Sequence, residues 1–224
     1  MKVVVFDLGN TLMEYSGMPL CWTDYYQSGF KYVNSKFSLH LSHELIQQSC
    51  QILSSFNPRI NYREQEYSPE FIFEKCISSW PQQIPVNECI SCFWEGLQLK
   101  PLIYDDSVFI LEKLRKSHIK TAVLTDLPNA MPDKIFQKAI SGLLPYLDLY
   151  ASSSICGWRK PSPFGLFYIK NFFKADISEM IFIGDEEKDR QTACNAGCEF
   201  IFLDRNEKQS VHRLADQLEC LHLG

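Results

Sequence analysis

Five short apolar runs recur along the chain, and helical patterns fill most of the sequence between them. The runs are Val3-Val4-Val5-Phe6, Ile119 to Thr125, Leu147 to Ala151, Met180 to Gly184 and Cys198 to Leu203. Continuous apolar segments of this length, rich in β-branched and aromatic residues, read as strands buried on both faces. The intervening stretches are helical. Asp105 or Asp106 can cap Val108 to Leu114, and the basic pair Arg115-Lys116 suits that helix's C-terminus. Pro163 to Phe173, Asp189 to Ala196 and Val211 to Leu221 read as further helices. Such alternation predicts an α/β fold, a Rossmann-like parallel sheet with helices on both faces.

One segment breaks the rhythm. Between about residues 15 and 99 no strand pattern appears, only amphipathic helical stretches broken at Asn57-Pro58 and Trp80-Pro81. Ser68-Pro69-Glu70 is a helix start, with a capping hydroxyl, proline at the first position and an early acid. Phe71, Ile72, Cys76, Ile77 and Trp80 supply its apolar stripe. The expected organisation is therefore a helical domain, 15–99, inserted into an α/β core formed by 1–14 and 100–224. The aromatics Trp22, Tyr25, Tyr26, Phe30, Tyr32 and Phe37 are expected to form the insertion's own core.

Composition narrows the partners. A net charge of −5 with no Lys/Arg cluster argues against nucleic acid. No apolar run approaches the roughly 18 residues of a membrane span, and Asp7 interrupts the first run too early for a signal peptide. A cytoplasmic monomer or homodimer is expected. Nine cysteines without an export signal read as reduced thiols, many buried, and Cys89-Ile90-Ser91-Cys92 lacks the second pair that would close a zinc site.

In open parallel sheets ligands sit beyond the carboxyl ends of the strands, so the residues there carry the chemistry. Asp7, Gly9, Asn10 and Thr11 follow the first strand, and Thr125 and Asp126 the second. Arg159-Lys160-Pro161 follows the third, and Asp185, Glu186 and Asp189 the fourth. Carboxylates gathered at one spot raise one another's pKa unless a cation intervenes, and Lys160 supplies a single charge. A divalent ion with oxygen ligands resolves the conflict, and Mg²⁺ is the usual choice. Mg²⁺, Lys160, Thr125 and loop amides together suit a phosphoryl group, with Asp7 as nucleophile.

These residues resemble a known family. Asp7-Leu8-Gly9-Asn10-Thr11-Leu12 is similar to motif I of the haloacid dehalogenase-like (HAD) hydrolases, and Thr125 to motif II. Gly157-Trp158-Arg159-Lys160-Pro161 resembles motif III, and Gly184-Asp185-Glu186-Glu187-Lys188-Asp189 motif IV. The insertion after motif I is similar to a C1 cap. The resemblance implies Mg²⁺-dependent hydrolysis of a small phosphorylated metabolite. Asp7 would be the nucleophile, with Thr125 and Lys160 on the phosphoryl group beside Gly9, Asn10 and Asp126. Asp7, Asp185, Asp189 and the carbonyl of Gly9 would hold the metal.

One departure bears on mechanism. The family's phosphatases carry a second Asp two residues after the nucleophile, as general acid and base, and this chain has Gly9 there. Glu14, Tyr15, Asp24 or Glu95 are candidates to replace it. A phosphate-binding protein without turnover and a C–halogen hydrolase are the alternative readings.

Overall fold

A computed structural model describes residues 2–205; the helix expected at 211–221, and Cys220, lie outside the described residues. The chain divides into two compact units. The first comprises Met1–Glu14, Pro101–Asp126 and Gln137–Gly224, and the second Tyr15–Lys100 and Leu127–Phe136.

The first unit is built on a five-stranded parallel sheet. Its strands are β1 (Val3–Phe6), β4 (Lys120–Thr125), β5 (Leu149–Ser152), β6 (Met180–Gly184) and β7 (Glu199–Phe202), in the order β5-β4-β1-β6-β7. The order reverses at β1, whose Phe6 pairs with Val123 on one side and Ile183 on the other. All five expected strands are therefore present, within two residues of their expected limits. Alternate residues of β1 face opposite sides. Val3 and Val5 pack with Leu124, Phe182, Leu166, Ile169 and Ala193, the last three from α8 (Phe164–Phe173) and α9 (Glu187–Ala196). Val4 and Phe6 are equally buried and point the other way. On the remaining connection α5 (Asp105–Lys116) packs against β4. The residue before it, Tyr104, takes the N-cap position, so Asp105 and Asp106 lie in its first turn instead of capping it.

Two three-residue strands, β2 (Met13–Tyr15) and β3 (Pro101–Ile103), pair with each other. They are too short to leave a sequence signature. α7 (Ser153–Cys156) is a single turn closed by Gly157 in the left-handed conformation.

The second unit is helical: α1 (Tyr26–Lys36), α2 (His43–Ser55), α3 (Pro69–Ile77) and α4 (Val86–Gly96), with α6 (Asp133–Ala139) beginning in it. Ser68 caps α3 through its hydroxyl, which accepts the Phe71 N–H. Phe30 is the centre of the core, with ring centroids of Phe93 at 4.9 Å and of Phe73 and Trp80 at 6.0 Å. The expected stripe on α3 is shifted at one place. Phe73 is buried, while Phe71 is 42% exposed and packs on Phe56 and Tyr67. Cys89 and Cys92 are free thiols buried on α4, and burial pushes Cys89 up to about 12.

The division of the chain differs from the sequence-based boundary by one residue at Lys100 and, more substantially, at Leu127–Phe136: both were expected in the α/β core and belong to the helical unit. For Leu127–Phe136 the reason is local packing. Leu127, Ala130, Met131 and Phe136 are buried, the Asn129 amide donates to Leu53 O (3.0 Å), and Trp94 Nε1 donates to Ala130 O (3.2 Å).

Gly29 lets α1 approach α4, since a Cβ there would lie 2.5 Å from the Phe93 ring. Helix propensity favours Ala over Gly by about 1 kcal/mol, but overpacking costs about 1–3 kcal/mol. Gly29→Ala should therefore lower the urea midpoint of the helical unit. A midpoint at or above wild type would show that the ring yields without cost.

Candidate active site

Asp7 is the first residue past β1, and its N–H extends the ladder to Ile183 O (2.8 Å). The chain then winds tightly on itself. The amides of Thr11, Leu12 and Met13 all converge on Leu8 O, and the Asn10 amide reaches Met13 O. Asn10 takes the left-handed φ of 54° that this turn requires. Its amide, expected to help cradle an oxyanion, is thus spent inside the loop. Thr125 is buried at the end of β4, two positions beyond the last β1–β4 pair.

Lys160 joins the strand ends. Its Nζ donates to Asp7 Oδ1 (2.6 Å) and to Asp189 Oδ1 (2.5 Å), and all three side chains are buried. Asp189 sits in the first turn of α9, where its other oxygen accepts the Glu186 N–H at 3.0 Å and completes a capping box. The glycine five residues earlier has a steric reason, because a Cβ on Gly184 would lie 2.5 Å from Asp189 Oδ2. Asp185 is half-buried and accepts the Thr11 hydroxyl at 3.3 Å.

Asp126 was expected to touch substrate. In the structure its carboxylate serves the protein, accepting the Lys160 N–H (3.0 Å) and the Lys188 ammonium (3.3 Å). Lys188, which also lies 3.6 Å from Glu186, was not singled out from sequence; nothing in the spacing marks a lysine between motif carboxylates as a partner for a distant strand end. Within the same unit Glu14 accepts the Tyr104 hydroxyl at 3.0 Å. In the helical unit Glu95 is held by Lys36 and Tyr32, Tyr15 donates to the Met131 sulfur, and Asp24 is exposed.

The electrostatics are unbalanced. Burial pushes Asp7 up to about 7, with Asp189 and Asp185 adding to the rise and Lys160 opposing it. Asp185 is pushed up to about 6 by burial and by Asp189 and Glu186. For Lys160, burial would favour the neutral amine, but Asp189, Asp7 and Asp126 hold it firmly protonated. Burial likewise opposes ionisation of Asp126, and Lys188, Arg159 and Lys160 overcome it and hold the carboxyl well below its usual range. The excess negative charge at Asp7 and Asp185 calls for a cation. Oxygens of Asp7, Asp185 and Asp189 lie within 4.8 Å of one another, a hard-donor set that fits a metal ion.

A family model for haloacid dehalogenase-like hydrolases matches residues 1–197. Solved structures share the fold. A 2-haloacid dehalogenase from Pseudomonas syringae is 18% identical, with 99% of each chain covered and a TM-score of 0.67. A HAD phosphatase from Thermococcus onnurineus is 17% identical over 97% of this chain and 98% of that one, with a TM-score of 0.62. A Bacillus subtilis HAD-hydrolase bound to magnesium is 12% identical over 97% and 98%, with a TM-score of 0.56. No curated protein matches the sequence. Among the described residues no helix is long and apolar enough to cross a membrane.

The raised carboxyl of Asp185 has a consequence for stability. Its folded value of about 6 lies above the ordinary 3.8, so the folded state binds the extra proton and loses stability as pH rises between those values. In chelator, Asp185→Asn should match wild type in Tm near pH 4, exceed it increasingly as pH rises to about 6, and keep a constant margin above that. A Tm difference independent of pH would refute the assignment.

Proposed function

The chain belongs to the haloacid dehalogenase-like hydrolases, and we propose that it is a Mg²⁺-dependent phosphatase acting on the phosphate monoester of a small metabolite. One observation carries the reading: two buried carboxylates, Asp7 and Asp189, share the Lys160 ammonium, and a third, Asp185, brings an oxygen within 4.8 Å of theirs. The named relatives include a dehalogenase and a phosphatase, so the shared fold does not choose between them. The charges favour phosphate chemistry. A halogenated carboxylate substrate would add negative charge beside Asp7, Asp185 and Asp189, whereas a divalent ion with a phosphoryl group offsets it.

Lys160 holds Asp7 Oδ1, which leaves Oδ2 as the oxygen to attack phosphorus in line. The P–O ester bond breaks, the leaving alkoxide takes a proton from solvent water, and the phosphoryl group rests on Asp7 until a water molecule attacks phosphorus, releasing inorganic phosphate and restoring the Asp7 carboxylate. The Lys160 ammonium and the Thr125 hydroxyl bind phosphoryl oxygens during transfer. Asp7, Asp185 and the carbonyl of Gly9 would hold Mg²⁺, which neutralises the charge of the phosphoryl oxygens. Asp189, with one oxygen on Lys160 and the other on the Glu186 amide, fixes the lysine from behind.

The test is hydrolysis of an aryl phosphate with Mg²⁺. Asp7→Asn should reduce turnover by more than about a thousandfold, and chelator should abolish it; equal rates for wild type and Asp7→Asn would remove Asp7 from the mechanism. Gly9 favours a second reading, phosphate binding without turnover, because general acid–base catalysis worth about 10²–10⁴-fold is missing there. A Cβ at position 9 would meet nothing within 4 Å, so an acid can be added. Gly9→Asp should raise hydrolysis of alkyl phosphates more than of aryl phosphates, whose leaving groups need no proton. A uniform gain would contradict the missing-acid argument.

A further inference from the structure

Beyond the last strand, and past the residues matched by the family model, Arg205 reaches back to the loop that follows the nucleophile. Its guanidinium is engaged on every side. Nη1 donates to both oxygens of Asp106, at 2.7 and 2.6 Å. Nε donates to Thr11 O at 3.0 Å, Nη2 donates to the same carbonyl, and Nη2 also reaches Ser107 Oγ at 3.4 Å. The plane stacks on Tyr104, with 4.1 Å from Cζ to the ring centroid. The next carbonyl, Leu12 O, accepts the Ser107 hydroxyl at 2.8 Å and the Tyr104 N–H at 3.2 Å. Two consecutive carbonyls of the loop are thus pinned to Arg205 and to the start of α5. On the other side of the pinned residue, the Thr11 hydroxyl donates to Asp185.

We propose that Arg205 is a positioning residue: it fixes the Thr11 carbonyl, and through the Thr11 hydroxyl it holds the Asp185 carboxylate where a divalent cation binds. The inference rests on the metal-dependent reading above. A planar fork and a stacking face are both needed, so lysine is no substitute.

The test compares wild type, Arg205→Ala, Arg205→Lys and Lys120→Ala. The last breaks the Lys120–Asp148 pair at the opposite end of β4 and serves as a stability control. Three quantities are read: hydrogen exchange at the Thr11, Leu12 and Met13 amides, Mn²⁺ affinity, and aryl phosphate kinetics. Arg205→Ala should speed exchange at those amides at least tenfold, weaken Mn²⁺ about tenfold and lower kcat with KM within twofold. Arg205→Lys should regain Tm through Asp106 but not Mn²⁺ affinity. The proposal falls if Arg205→Ala binds Mn²⁺ as wild type does, or if Lys120→Ala moves the three readouts equally for the same loss of Tm. Failure of wild type to bind any divalent ion would instead overturn the phosphatase reading itself, while exchange at the loop amides still reports whether Arg205 holds them.

Discussion

Almost everything at the sheet's carboxyl end depends on one buried ammonium lying between two buried carboxylates. Removing one member of such a group leaves an uncompensated charge and costs about 3–5 kcal/mol, so the three side chains are tied to one another energetically. Each comes from a different part of the chain: Asp7 from the end of β1, Lys160 from the loop after α7, and Asp189 from the first turn of α9. The ion group is a fold constraint as well as a chemical one. It fixes where three connections end, and the supporting features follow from it. Gly184 makes room for Asp189, and Asp126 anchors the backbone of Lys160.

One fold accommodates different chemistries. Relatives named as a dehalogenase and as a phosphatase superpose on this chain with similar scores, as expected when activity resides in side chains grafted on a shared scaffold. In this chain burial, reinforced by the neighbouring carboxylates, raises Asp7 to about 7 and Asp185 to about 6.

The parallel strands and their terminal residues were legible because two strong signals coincide. A strand covered on both faces must be apolar throughout, and the residue that ends it must be polar if it reaches the open edge. Asp7, Thr125 and Asp185 stand out for that reason, whereas Lys160 lies in the loop after α7 and Asp189 in the first turn of α9, each several residues past its strand. Features that depend on pairing across long sequence distance did not stand out. The Lys188–Asp126 contact joins residues 62 apart, and neither residue's neighbours announce the other. β2 and β3 are three residues each, below the length at which periodicity means anything. On α3 a half-turn of ambiguity exchanged Phe71 for Phe73, since both fit an apolar stripe and only packing against Phe30 and Phe93 selects one.

The decapeptide from Leu127 to Phe136 leaves the sheet immediately after Asp126 and is built into the helical unit. The backbone therefore passes between the two units four times. A helical module of this kind cannot be exchanged among relatives as one uninterrupted cassette. Any transplant confined to residues 15–100 would arrive without Asn129 and the apolar side chains beside it, and would strip Leu53 and Trp94 of their partners. Divergence of the helical unit must accordingly proceed in step with a stretch rooted in the sheet's own strand ends.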